Sequence, residues 1–86
     1  MSYTLIIDNH ASKQLLSIER KFSNKIIEAI NKLKQTPRPH KCKKLQVEEG
    51  YRIRVGDYRI LYTIDDNQKV VTVYRITKRE DAYKSN

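Results

Sequence analysis

Apolar and polar residues alternate along Tyr51 to Tyr62, YRIRVGDYRILY, in two short runs broken at Gly56-Asp57. The period of two predicts paired β-strands. A Gly-Asp step between them predicts a tight hairpin, because glycine takes a positive φ without steric cost. With a two-residue loop, Val55 faces Tyr58, Arg54 faces Arg59, Ile53 faces Ile60 and Arg52 faces Leu61. Opposed residues share a sheet face and side chains alternate along each strand. Tyr51, Ile53, Val55, Tyr58, Ile60 and Tyr62 therefore form one side, and Arg52, Arg54 and Arg59 the other.

The same patterning places the remaining elements. Tyr3 to Ile7 predicts a first strand, with Tyr3, Leu5 and Ile7 alternating with Thr4 and Ile6; the apolar Ile6 suggests cover on both faces. Asp8 or Asn9 caps a short helix carrying Ala11, Leu15, Leu16 and, at its end, Ile18. Glu19 to Phe22 interrupts the pattern. A longer helix runs from Phe22 or Ser23 to Gln35, its core stripe formed by Phe22, Ile26, Ile30 and Leu33 and broadened by Ile27. Pro37 and Pro39 bar its continuation. Arg38 to Gly50 is a lysine-rich connection. Tyr58 to Ile64 is followed by the turn signal Asp65-Asp66-Asn67-Gln68, and Val70 to Thr77 is the most β-branched stretch. A loop centred on Asp66-Asn67 pairs Tyr62 with Val71 and Ile60 with Val73, and sets Tyr74 beside Arg59. Lys78 to Tyr83 is a polar tail, expected to form a helical turn over the sheet edge. The fold class predicted is α+β: an N-terminal strand, a two-helix antiparallel hairpin, then a three-stranded antiparallel meander. The helices pack on one face of a four-stranded sheet.

Composition narrows the setting. The chain of 86 residues suits one domain spanning 1–86, and its apolar fraction of 38% suffices for one core. No run approaches the ~18 apolar residues of a membrane span, and Met1 to Leu5 has no secretory pattern. A lone cysteine, Cys42, predicts neither an internal disulfide nor zinc, and a cytoplasmic protein is expected. Lysine neighbours favour its thiolate, but no histidine is placed to activate it. Eighteen basic residues against ten acidic give a net charge of +8, which favours an anionic partner: nucleic acid, an acidic protein, or both. No acid occurs from Ala29 to Val47, while Lys32, Lys34, Arg38, Lys41, Lys43 and Lys44 lie within that span. That run and the arginine hairpin predict one continuous basic surface.

Charge placement carries the chemical reading. Arg54 facing Arg59 destabilises a hairpin by up to about 1 kcal/mol relative to a neutral pair. A solvated face whose members splay apart is the simpler account; relief by an RNA backbone is the sharper one. No Ser-His-Asp set, Gly-rich phosphate loop or histidine pair at metal spacing occurs, and His10 and His40 are expected at the surface. No cofactor is implied. An active site built from Arg, Lys and Tyr suits phosphoryl chemistry on RNA, in which the 2′-hydroxyl and the 5′-oxygen of the substrate serve as nucleophile and leaving group.

The stretch YRIRVGDYRILYTIDD, the β-branched strand after it and Lys78-Arg79-Glu80-Asp81-Ala82-Tyr83 resemble the RelE/ParE superfamily of bacterial toxins, over nearly the whole chain. The resemblance implies a toxin of a type II toxin–antitoxin system, and for RelE-like members an endoribonuclease that cuts mRNA in the ribosomal A site. It implies catalytic positions at Arg52, Arg54, Arg59, Arg79 and Tyr83, with a matching basic position at Lys44 and an assisting one at Lys78; Lys41 and Lys43, from the basic run, join them as candidate RNA-binding residues. Arg59 and Arg79 then grip the scissile phosphate and Tyr83 engages a splayed nucleotide. Some RelE members carry lysines where this chain has Arg52 and Arg54. Arginine does not give up its proton, so deprotonation of the 2′-hydroxyl falls to Tyr83, to Glu80 or Asp81, or to electrostatic help alone. The partners implied are a RelB-like antitoxin, the ribosome with its mRNA, operator DNA only through the antitoxin complex, and no membrane. Two other readings share the residues: a ParE-like inhibitor of DNA gyrase, and a non-catalytic basic module that binds nucleic acid. Leu61 and Ile6, apolar positions off the main core, are candidate docking points for an antitoxin.

Overall fold

The computed structural model describes residues 2–78. In chain order the elements are β1 (Thr4–Ile7), α1 (Asn9–Leu16), α2 (Arg20–Lys32), β2 (Lys43–Lys44), β3 (Tyr51–Val55), β4 (Tyr58–Asp65) and β5 (Val70–Lys78). They form a five-stranded sheet in the order β1-β5-β4-β3-β2, with β1 parallel to β5 and the other pairs antiparallel. The expected α+β class holds, with one strand more than the four predicted. The extra strand is Lys43–Lys44, inside what the sequence presents as a connection. Two lysines have little intrinsic strand preference. They pair because β3 leaves an open edge beside them, and the loop closes where Leu45 N–H donates to the Gly50 carbonyl at 2.9 Å. Gly50 has φ 126°, and a Cβ there would lie 2.7 Å from the Tyr62 carbonyl oxygen, so the loop approaches β4 where no larger residue fits.

The central hairpin has the expected register. Arg52 faces Leu61, Ile53 faces Ile60, Arg54 faces Arg59 and Val55 faces Tyr58, around a turn in which Gly56 has φ 59°. The β4–β5 register differs from expectation. Asp65 pairs with Val70, so the turn contains four residues, with Lys69 at φ 59° in the left-handed region. Tyr62 consequently faces Val73 rather than Val71. A bulge follows: Leu61 faces Arg75, Ile60 faces Ile76 and Arg59 faces Thr77, so Tyr74 is the supernumerary residue and does not oppose Arg59. The bulge reverses the sidedness of β5, sending Ile76 into the core and Arg75 outward.

Both helices pack on the face carrying Ile53, Ile60, Tyr62, Val71, Val73 and Ile76. Ala11, Ile26, Ile30 and Leu33 complete that buried cluster, with Leu5 and Ile7 of β1 packed against it. The Asp8 carboxylate caps α1, accepting from Ala11 N–H at 2.9 Å. Where β1 ends, α1 takes over the edge of β5: Ile76 N–H donates to Gln14 Oε1 at 2.8 Å, which satisfies a backbone donor beyond the reach of β1. The second helix starts at Arg20, earlier than expected. Its core stripe omits Phe22, which stays 40% exposed and tilts against Tyr58 with ring centroids 6.1 Å apart. Lys78 ends β5, and the rest of the expected helical turn, with Arg79 and Tyr83, lies outside the described residues.

Candidate functional site

Opposed strand residues share a face, so the registers determine which side chains stand together on the side of the sheet away from the helices. One row across the sheet runs Lys43, Arg52, Leu61, Arg75, and the next runs Arg54, Arg59, Thr77. Neither row contains an acid. Arg59, on which the chemical reading turns, is on this outer face and not against the helices. It is half-buried, and its Nε is shielded from solvent. Arg54, directly opposite, is exposed. Lys41, Lys43, Arg52 and Arg54 line one cleft of 260 Å³. Of the predicted site residues, Lys41, Lys43, Arg52, Arg54 and Arg59 are therefore brought together.

Two predicted RNA-binding lysines are not with them. Lys44 opposes Tyr51 and Lys78 opposes Tyr58, which puts both on the helix side of the sheet. Successive residues of a strand point to opposite faces, so Lys43 and Lys44 cannot serve one surface while both remain in β2. Arg38 also leaves the expected basic surface. Its guanidinium donates to both carboxylate oxygens of Asp66, at 2.9 and 3.3 Å, and its Nε donates to the Tyr51 hydroxyl at 3.1 Å. Tyr3 donates to the same carboxylate at 2.7 Å. Arg38 also lies over the Tyr51 ring, 5.2 Å from its centroid, and Tyr51 stacks on Tyr62 with centroids 5.9 Å apart. The Tyr62 hydroxyl donates to the Pro37 carbonyl at 2.7 Å. Burial, then the neighbouring Cys42 thiol, pushes Tyr62 above the usual phenol range. This ladder ties the segment after α2 to the sheet, so Arg38 has a structural role.

The hydrogen bonds from Arg38 and then Tyr3 hold the Asp66 carboxyl down at about 2, against an ordinary 3.8. A carboxyl lowered in the folded state stabilises the fold above its unfolded pKa, and that contribution is lost as pH falls through the folded value. The difference in thermal midpoint between the wild type and Asp66→Asn is expected to be constant from neutral pH to about pH 5 and to shrink between about pH 4 and 2. Melting curves by circular dichroism across that range check it; a difference independent of pH would show that the clamp contributes nothing through charge.

Arg75 was missed by sequence reasoning. An uninterrupted β5 would put it on the helix side; the bulge puts it in line with Arg52. The available signal was the apolar spacing Val71, Val73, Ile76, two residues and then three, which marks one extra residue in a strand. Beside it, the buried hydroxyl of Tyr74 has no hydrogen-bond partner among the described residues. Burial first and the nearby Glu48 carboxylate second raise its pKa, and Arg75 acts in the opposite sense.

Chemically the face can hold a phosphodiester and stabilise negative charge that develops on it. Its described cations are mostly arginines, which do not act as bases. Among the described residues no group of three His, Cys, Asp or Glu side chains is placed to hold a metal ion.

Comparison with known proteins is consistent across sequence and fold. Residues 5–83 match the model of the ParE toxin of the type II toxin–antitoxin system parDE. The Methanocaldococcus jannaschii protein named "Putative toxin RelE1" is 29% identical over 89 residues, with 99% of each chain covered. The archaeal RelE–RelB complex from Pyrococcus horikoshii contains a chain that superposes with a TM-score of 0.82 at 27% identity, over 92% of this chain and 97% of that one. The RelBE2 toxin–antitoxin complex of Mycobacterium tuberculosis gives 0.81 at 28% identity, over 92% and 100%. Isolated RelE of Escherichia coli, at 22% identity and a TM-score of 0.78, shares the fold. With four-fifths or more of the chain matched at each level, the protein belongs to the RelE/ParE superfamily of type II toxin–antitoxin toxins.

Proposed function

We propose that this toxin is a ribosome-dependent endoribonuclease that cuts mRNA in the A site by attack of the 2′-hydroxyl on the adjacent phosphate, and so stops translation in the cytoplasm. The observation that carries this reading is the direct opposition of Arg54 and Arg59, with Arg52 and Lys43 in the neighbouring row and no acid in either row. Such a face is unfavourable for folding and favourable for a phosphodiester, whose charge rises as the pentacovalent state forms. Arg59 and Arg79 are assigned to the phosphate and Tyr83 to the displaced nucleotide. Arg52, Arg54, Lys41 and Lys43 hold the flanking backbone. Lys44 and Lys78 face the other way and are assigned to ribosomal RNA or to the antitoxin. Two of the solved relatives are toxin–antitoxin complexes, which supports a RelB-like partner here. Operator contact is assigned to that partner's complex.

Primer extension on a translated mRNA is expected to show cuts at codon positions only when ribosomes are present, with gyrase supercoiling untouched at the same dose. The match to the ParE model makes the second measurement necessary. Arrested supercoiling with intact mRNA would replace the nuclease reading with a gyrase poison.

A further inference from the structure

The row Lys43, Arg52, Leu61, Arg75 has a chemical order that the charge count conceals: cation, cation, apolar, cation. Leu61 is half-buried at the centre of the face, with Arg52 opposite on β3 and Arg75 opposite on β5. Arg75 is exposed and forms no ion pair with any described residue. Neighbouring strands are about 4.8 Å apart, so the backbones of Arg52 and Arg75 stand about 9.6 Å apart across Leu61. Both side chains are long enough to lean towards that gap. A nucleotide has matching parts: a base with an apolar face, carried on a ribose between two phosphates.

We propose that Leu61, flanked by Arg52 and Arg75, is a subsite for one nucleotide of single-stranded RNA beside the position assigned to the scissile phosphate, with Arg75 as a positioning residue. The sugar and base lie on Leu61, and the phosphates on either side meet the two guanidiniums. The proposal rests on the reading of this face as RNA-binding and assigns Leu61 to substrate. The bulge at Tyr74 is what makes the subsite possible, because it alone turns Arg75 to this side. Arg75 lies diagonally across from Arg59, so a strand held on Leu61 passes directly to the Arg54–Arg59 pair.

The test uses the full chain and a short labelled oligoribonucleotide, 2′-O-methylated throughout so that it cannot be cut, with binding followed by fluorescence anisotropy across a salt series. Four variants are compared with the wild type: Arg75→Ala, Arg75→Lys, Leu61→Thr, and Lys13→Ala on α1, which removes the same charge from another surface. Each phosphate contact adds about 0.7 to the slope of log affinity against log salt for a single strand, so the gap between the wild type and Arg75→Ala should widen about five-fold for each ten-fold drop in salt. Arg75→Lys keeps most of the slope. Leu61→Thr weakens binding with the slope unchanged, and Lys13→Ala leaves both nearly as in the wild type. Equal behaviour of Arg75→Ala and Lys13→Ala, or no binding by the wild type, overturns the subsite. Ribosome-dependent cleavage is measured separately. A chain that binds as described yet cuts nothing would refute the nuclease reading and leave the subsite standing.

Discussion

Arg59→Gln is expected to lower ribosome-dependent cleavage by about 10²- to 10³-fold, the usual loss when one preorganised donor to a developing oxyanion is removed. Its stability should move the other way. Arg59 faces Arg54 across the hairpin, and relief of a directly opposed like-charge pair is worth up to about 1 kcal/mol. Glutamine keeps part of the aliphatic stem and a hydrogen-bonding amide but discards the charge, so the unfolding midpoint should hold or rise while activity collapses. Arg54→Gln removes the same repulsion and should stabilise to a similar degree. The double variant should then gain little more than either single one, because the two changes act on one interaction. Primer extension on translated mRNA and urea denaturation read the two effects independently. Cleavage at the wild-type rate in Arg59→Gln would remove this residue from the chemistry.

The largest loss of stability is expected from Ile60→Ala. Ile60 is fully buried on the central strand, with Ile53 opposite on one side and Ile76 on the other. Truncating such a residue costs about 2–5 kcal/mol in lost burial and residual cavity. The whole stability of a domain this size is about 5–15 kcal/mol, and each kcal/mol shifts the midpoint by about 4–8 °C. A fall of at least about 10 °C is therefore expected, with the denaturant slope unchanged if unfolding stays two-state. A drop of only a few degrees would show that the sheet and helices do not close over this position as described.

How far the sequence specified this face depended on how local each determinant was. Gly56-Asp57 fixes the β3–β4 register within two residues, and from that register the opposition of Arg54 and Arg59 follows directly. The β4–β5 register was not legible in the same way. Its turn places Lys69 in the left-handed region, although Asn67 offers the more usual residue for that conformation. The bulge leaves only the uneven spacing of Val71, Val73 and Ile76 as a trace. Pairing of Lys43–Lys44 was hidden because it is imposed by the open edge of β3 and not by the lysines. Arg38 looked like one more member of a basic run; its partner Asp66 is 28 residues away, a distance that composition does not register.

The supernumerary Tyr74 makes the end of β5 depend on pairing as well as on composition. With every residue kept, closing the bulge would turn Arg75 toward the helices and Ile76 toward water, and so exchange an outward cation for a buried charge in a single step. Loss of Tyr74 itself would do the opposite, leaving Val73, Arg75 and Ile76 in strict alternation with their present sides unchanged. A one-codon deletion at this point therefore preserves both faces of the strand, which a slip of the ladder by one step would not.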